Sequence, residues 1–260
     1  MQQSEGLLTS LCVLITGASS GIGKACAQVF SEHGARLVLW SRRTDKLEDL
    51  HAELARNGVD VLVQRVDVRD SEAVRTAAEA MNAFSDRVDI LINNAGLSRG
   101  LEPIHEGIGD NWEEMIDTNI KGLLYVTRSI TPGMIQRKSG LVINIASIAG
   151  LQAYKGGNVY SATKAAVRML SQSMQMDFNG TGVRTCNIDP GLTETEFSIV
   201  RFRGDAERAS TVYKGYTPLT GRDVAEVALF AATRPQHVSI QDVLITPTDQ
   251  ASATVVNKHF

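Results

Sequence analysis

Leu11-Cys12-Val13-Leu14-Ile15-Thr16-Gly17-Ala18-Ser19-Ser20-Gly21-Ile22-Gly23 joins an apolar run of strand length to a glycine loop, and the residues from 21 to 33 carry a helical pattern. The spacing is Gly-x-x-x-Gly-x-Gly rather than the better-known Gly-x-Gly-x-x-Gly. Glycines here allow a tight turn and close approach of backbone to a pyrophosphate. The helix that opens at the loop offers unpaired N–H groups and the positive end of its dipole. A glycine loop by itself makes a turn. Set between strand and helix at the front of an α/β chain, it points to a dinucleotide, with Gly17, Ser19, Ser20, Gly21, Ile22 and Gly23 as candidate contacts.

The alternation continues outward from that loop. Residues 36–41, 59–66, 88–92, 141–146, 183–188 and 242–246 read as further strands, and 44–57, 71–84, 111–137, 158–178 and 221–233 as helices. The class is α/β: a single doubly wound parallel sheet of about seven strands with helices on both faces. Strands that are nearly continuous apolar runs fit a sheet buried on both sides. Ligands in such sheets sit at the carboxyl ends of the strands, which puts the chemistry on the loops after strands one, two, four, five and six. No linker or repeat divides residues 1–260, so they form one cofactor-binding and catalytic domain. Residues 192–220 are long for a connection, charged and only weakly helical, and read as a substrate lid. The tail, 247–260, has no clear period; it either reaches a neighbouring subunit or frays.

Composition excludes several classes. The 260 residues are 43% hydrophobic and 21% charged, enough apolar chain for a large core and too little charge for a disordered one. A net charge of −3 gives no general attraction to nucleic acid. No apolar run reaches the roughly 18 residues of a membrane span. The polar start, 1–10, lacks the basic region of a secretory signal. Cys12, Cys26 and Cys186 are odd in number and far apart in apolar surroundings, which reads as buried free thiols. Five scattered histidines and no Cys-x-x-Cys pair give no metal site. A cytoplasmic protein is expected.

The second strand ends Leu39-Trp40-Ser41-Arg42-Arg43, with no acid to hydrogen-bond the ribose hydroxyls of NAD. Two arginines at a helix start oppose its dipole. A 2′-phosphate suits an arginine fork, so Ser41, Arg42 and Arg43 favour NADP(H) over NAD(H), the alternative being solvated surface arginines. After the third strand, Asp67 could accept from the adenine amino group with Val68 lining that pocket, or cap the next helix.

Tyr160-Ser161-Ala162-Thr163-Lys164 places a phenol and an ammonium one helical turn apart, on one face. Hydride transfer at a carbonyl carbon needs a proton partner on the oxygen. A phenol with a pKa near 10 is about 0.1% ionised at pH 7, so a working match needs a fall of roughly 3, or about 4 kcal/mol. A fixed positive charge about 4 Å away, at an effective dielectric of about 20, is worth about 4 kcal/mol. Lys164 is expected to supply most of the shift, and Ser147, ending the fifth strand, to hold the substrate oxygen for Tyr160. Asn119 sits inside a helix. It is either solvated or turned inward to hold a water that links Lys164 to solvent.

Taken together, Thr16–Gly23, Asn93-Asn94-Ala95-Gly96, Asn119, Ser147, Tyr160-x-x-x-Lys164 and Pro190-Gly191 resemble the short-chain dehydrogenases/reductases over almost the whole chain. That resemblance implies a Rossmann-type fold and a catalytic tetrad of Asn119, Ser147, Tyr160 and Lys164. It also implies nicotinamide contacts from Pro190, Gly191 and Thr193, with Thr195 beside them. Asn94, Ala95 and Gly96 would lie against the adenosine side, and their segment would steady the sheet. Ser41-Arg42-Arg43, 115–119, 156–160 and 189–198 with 200–202 look like the subgroup of NADP-dependent 3-hydroxy acid dehydrogenases, also described as serine or allo-threonine dehydrogenases. Its members are cytoplasmic homotetramers, which implies the same assembly here. Ser19-Ser20-Gly21-Ile22 departs from that subgroup toward the commoner reductase form, and 191–196 differs in length or composition.

A carboxylate substrate needs a cation or several N–H donors, and Arg201 and Arg203 in the lid are the candidates. Fold and tetrad do not separate a 3-hydroxy acid dehydrogenase from a carbonyl reductase acting on a ketone or secondary alcohol with no carboxylate. A non-catalytic NADP(H) sensor is the remote alternative, one that has no need of Ser147, Tyr160 and Lys164.

Overall fold

The computed structural model describes residues 6–259; Met1–Glu5, within the polar start, and Phe260, the last residue of the tail, lie outside the described residues. Seven strands form one parallel sheet: β1 (Cys12–Thr16), β2 (Arg36–Ser41), β3 (Val61–Arg65), β4 (Ile90–Asn93), β5 (Gly140–Ile145), β6 (Val183–Pro190) and, last in the chain, β9 (Asp242–Ile245). Their order is β3-β2-β1-β4-β5-β6-β9, so the strand order reverses between β1 and β4. The crevice at that reversal, on the carboxyl side of the sheet, is where such folds bind their ligands. The central strands β1 and β5 are buried at every position, as their apolar runs require. The edge strands β3 and β9 are only half covered.

Helices α1 (Gly21–Glu32), α2 (Thr44–Arg56) and α9 (Gly221–Ala232) pack on one face, where Ile15, Phe30, Leu39, Leu50, Ile143 and Val224 share a core. On the other face α3 (Ser71–Ala80), α5 (Leu123–Gln136) and α6 (Asn158–Asp177) close over Leu14, Trp40, Val74, Val126, Val142 and Val167. Buried Asn93 steadies the centre of the sheet, donating to Thr127 Oγ1 and Asn144 Oδ1, each at 2.9 Å. All three cysteines are buried and unpaired. No described helix is long and apolar enough to cross a membrane.

Two expected elements differ. The helix expected over 111–137 is α4 (Gly109–Ile116) followed by a π-helical stretch, Asp117–Gly122, that runs on into α5. The widened turn carries one residue more than an α-turn, which changes the face presented by Asn119. The segment 192–220, expected as a lid, is more ordered than its pattern suggested. It contains α7 (Phe197–Arg201) and α8 (Ala206–Thr211), and its two ends pair as β7 (Thr193–Glu194) and β8 (Leu219–Thr220). Within the described residues the tail folds back on its own chain, where Asn257 donates to the Asp249 carbonyl and His259 to that of Gly215.

Candidate active site

One cavity of about 710 Å³ runs along the carboxyl ends of β1, β2, β4, β5 and β6 and under the lid. Every residue singled out from the sequence lines it except Gly23 and Asn119, which stand directly behind it. Gly17, with φ +66°, makes the turn after β1. A methyl group on Gly23 would fall 2.4 Å from Asn94 Nδ2 and 2.5 Å from the Gly17 carbonyl, so this position is glycine because loop and helix touch there.

The start of α1 carries no side-chain cap. Its N-cap, Ser20, makes no side-chain bond to the first turn, and no acid lies there. By contrast α3 is capped by Asp70, which accepts from Glu72 and Ala73, and α9 by a Thr220–Asp223 box. The N–H groups of α1 therefore face the cavity without a side-chain cap, as an anion requires. Beside them Arg43 donates to Ser19 Oγ at 2.9 and 3.1 Å, Ser41 Oγ to Ser19 Oγ at 2.7 Å, and exposed Arg42 faces the same space. Cations, hydroxyls and uncapped N–H groups at the end of β2 fit a dinucleotide carrying an additional phosphate. Asp67 lines the cavity after β3, with its carboxylate gripped by Arg69 at 2.6–3.1 Å. The capping alternative for Asp67 is overturned, since Asp70 occupies that position in the helix.

At the other end stand the four residues expected to form a catalytic tetrad. Ser147 follows β5 and its hydroxyl accepts from the Ala149 N–H at 3.1 Å. Its own N–H donates to Asp189 Oδ1 at 3.2 Å, a fully buried carboxyl that burial, and then Asp242, push up to about 6. Tyr160 and Lys164 are on the buried face of α6. Asn119 is 2% exposed: its amide accepts from the Leu97 N–H at 2.9 Å and donates to the Leu97 carbonyl at 2.9 Å and Thr163 Oγ1 at 3.0 Å. It is thus turned inward, tying the π-helical stretch to the loop after β4 and to α6. That loop reaches further than expected. Asn94 touches the glycine loop, donating to the Thr16 carbonyl at 2.9 Å, but Gly96 lies against the catalytic end. A methyl group on Gly96 would sit 3.3 Å from Asn119 Oδ1 and 3.4 Å from Lys164 Nζ, so glycine leaves open the space between them.

The electrostatics depart from expectation in one respect. Burial pushes the Tyr160 phenol up to about 12, and the charge that most opposes this is Arg201, followed by hydrogen bonding to Ser147. Lys164 Nζ lies 5.9 Å from the Tyr160 ring centre and donates to the Ile145 carbonyl at 2.8 Å. Burial brings Lys164 itself down to about 8.

Arg201 is the residue that the geometry raises in importance. Its guanidinium carbon is 4.9, 5.3 and 5.8 Å from the ring centres of Phe197, Tyr160 and Tyr154. It donates to the Tyr154 hydroxyl at 2.9 Å, and its Nε is buried with no partner among the described residues. Two backbone contacts hold α7 in place: Arg99 donates to the Val200 carbonyl at 2.5 Å, and Gly100 N–H to that of Arg201 at 3.2 Å. Arg203 lines the cavity too, but it donates to Asn111 Oδ1 at 2.5 Å, away from Tyr160. Residues that sequence reasoning missed complete the walls: Tyr154, Glu196, Phe197, Tyr213, Gln250 and Ala253. Of these only Tyr154 carried a signal, as an aromatic beside the glycines of an irregular loop.

Comparison with known proteins agrees with this geometry. The family described as short chain dehydrogenase matches residues 11–205. The NADP-dependent 3-hydroxy acid dehydrogenase YdfG of Salmonella typhi is 45% identical over 94% of this chain and 97% of its own. The serine 3-dehydrogenase of Rhizobium radiobacter is 42% identical over 93% and 95%. Among solved structures, the closed form of a serine dehydrogenase complexed with NADP+ superposes with a TM-score of 0.91 at 41% identity, covering 96% of this chain and all of that one. With fold, cavity and sequence in agreement, the chain belongs to the short-chain dehydrogenases.

Proposed function

We propose that the protein is an NADP-dependent dehydrogenase of small 3-hydroxy acids such as 3-hydroxypropionate, serine or allo-threonine. NADP, when bound, accepts the hydride from the carbon bearing the hydroxyl. Ser147 holds that hydroxyl and Tyr160 takes its proton, a transfer eased by the nearby positive charge of Arg201. Lys164, brought down to about 8, can pass a proton onward through the space that Gly96 leaves beside Asn119.

The observation that carries the choice of an acid is the placement of Arg201, a guanidinium walled by three aromatic rings beside the acid/base, with an N–H that no group among the described residues satisfies. A carboxylate two bonds from the reacting carbon answers that unmet donor. The 3-hydroxy acid and serine dehydrogenase relatives support the same substrate class. A homotetramer in the cytoplasm is part of the same proposal, and exposed Leu124, Ile135, Met169 and Met176 on α5 and α6 leave apolar surface for a neighbouring subunit to cover.

Steady-state oxidation of 3-hydroxypropionate, L-serine and L-allo-threonine, set against simple secondary alcohols, with NADP+ and with NAD+, tests the reading. The expected result is a preference for the acids and for NADP+. Preference for uncharged alcohols transfers the site to the carbonyl-reductase reading.

A further inference from the structure

Where the lid meets the glycine loop, Glu196 reaches across to the end of β2. Its carboxylate accepts from Arg43 Nη1 at 2.7 Å and from Lys46 Nζ at 2.5 Å. The same arginine donates to Ser19 Oγ and, at 2.5 Å, to Ser20 Oγ. The carboxyl is ionised at neutral pH, because Lys46 and Arg43 outweigh its partial burial. An anion held by two cations, next to two hydroxyls and the uncapped start of α1, is an anion site filled by the chain's own carboxylate.

We propose that Glu196 is an internal competitor of the cofactor's 2′-phosphate, holding Arg43 and Lys46 until the phosphate displaces it. The proposal rests on placing the 2′-phosphate at Arg43. A phosphate carrying nearly two negative charges cannot share the Arg43 fork with a carboxylate without strong repulsion. Once displaced, Glu196 lets go of the lid, since it directly precedes α7, the helix that carries Arg201. A cofactor without the phosphate leaves the clasp shut. Glu196 thus makes the lid responsive to NADP(H) and not to NAD(H), and Lys46 becomes a further phosphate ligand.

Calorimetric titration with 2′,5′-ADP and with 5′-AMP separates the outcomes, using wild type, Glu196→Gln, Glu196→Ala and Arg43→Met. Loss of the competing charge tightens 2′,5′-ADP about 5- to 10-fold in both Glu196 variants, most at low salt, and leaves 5′-AMP unchanged. Unchanged or weaker 2′,5′-ADP binding in the Glu196 variants, or an equal gain for 5′-AMP, overturns the proposal. Arg43→Met tests the reading beneath it. If that variant binds 2′,5′-ADP as wild type does, the phosphate is not at Arg43. If it binds more weakly while the Glu196 variants show no gain, only the competition fails.

Discussion

The guanidinium carbon of Arg201 lies 5.3 Å from the centre of the Tyr160 ring. One cation therefore serves two ends: it stands where a carboxylate can be held and it favours ionisation of the phenol. Arg201→Met is expected to raise KM for 3-hydroxypropionate roughly 10- to 100-fold, the loss of one charge-assisted contact. On an uncharged secondary alcohol KM should stay nearly the same. There the effect is on pH: without Arg201 the phenol is harder to ionise, so the rise of kcat/KM for oxidation moves to higher pH. An unchanged KM for the acid means that its carboxylate is held elsewhere.

Lys164 is a charge that the fold tolerates at a cost. Its pKa is near 8 in the folded protein against an ordinary value of 10.5. Depression in the folded state means that stability is gained as pH rises from about 8 to above 10 and lost as pH falls back through 8. At pH 7 the ammonium is therefore buried against a penalty of about 3 kcal/mol. Lys164→Met should unfold at a higher urea midpoint than wild type at pH 7, less the bond to the Ile145 carbonyl, and the advantage should shrink toward pH 10. The same variant should be inactive. A midpoint difference that does not vary with pH removes the titration argument.

Much of this site was legible from periodicity, because backbone geometry dictates it. The glycine loop needs its glycines, β1 and β5 are apolar throughout, and residues four apart on α6 share a face. Arginines where an acid would select NAD told which cofactor to expect. Asn119 was harder, since its inward turn depends on the π-helical stretch, and an extra residue in a helical turn leaves no periodic mark. The clasp of Glu196 on Arg43 joins residues 153 apart, and nothing local encodes it. The same holds for one of the two cations beside Tyr160. Helical spacing placed Lys164 there, while Arg201 reaches the same ring only through the packing of a segment with weak pattern.

Gly96 offers a test of the path from Lys164 to Asn119. A methyl group there meets Asn119 Oδ1 at 3.3 Å and Lys164 Nζ at 3.4 Å and fills the space between them. Gly96→Ala is expected to lower kcat roughly 10-fold or more, with KM for the hydroxy acid little changed, because it obstructs proton transfer and not binding. Thermal unfolding near the wild-type temperature would show that the fold is intact. A rise in KM with kcat preserved would place the damage in the cofactor site instead.

Gln250 links the tail to the base of the lid. It is 4% exposed; its Oε1 accepts from the Leu192 N–H at 2.8 Å, and its Nε2 donates to the Ser252 carbonyl at 3.2 Å. Ala253, next along, lines the cavity and its N–H donates to Gln152 at 2.8 Å. The tail therefore holds the chain at Leu192, immediately before β7. Gln250→Ala leaves the half-buried Leu192 N–H without its partner, a loss of about 1 kcal/mol. That strain falls on the lid, so cleavage by a protease between 197 and 211 should become faster while the sheet core stays resistant. KM for the hydroxy acid should rise several-fold, since Arg201 depends on the seating of α7, and affinity for 2′,5′-ADP should stay the same. Unaltered proteolysis with normal KM would mean that the β7–β8 pairing holds the lid without the tail.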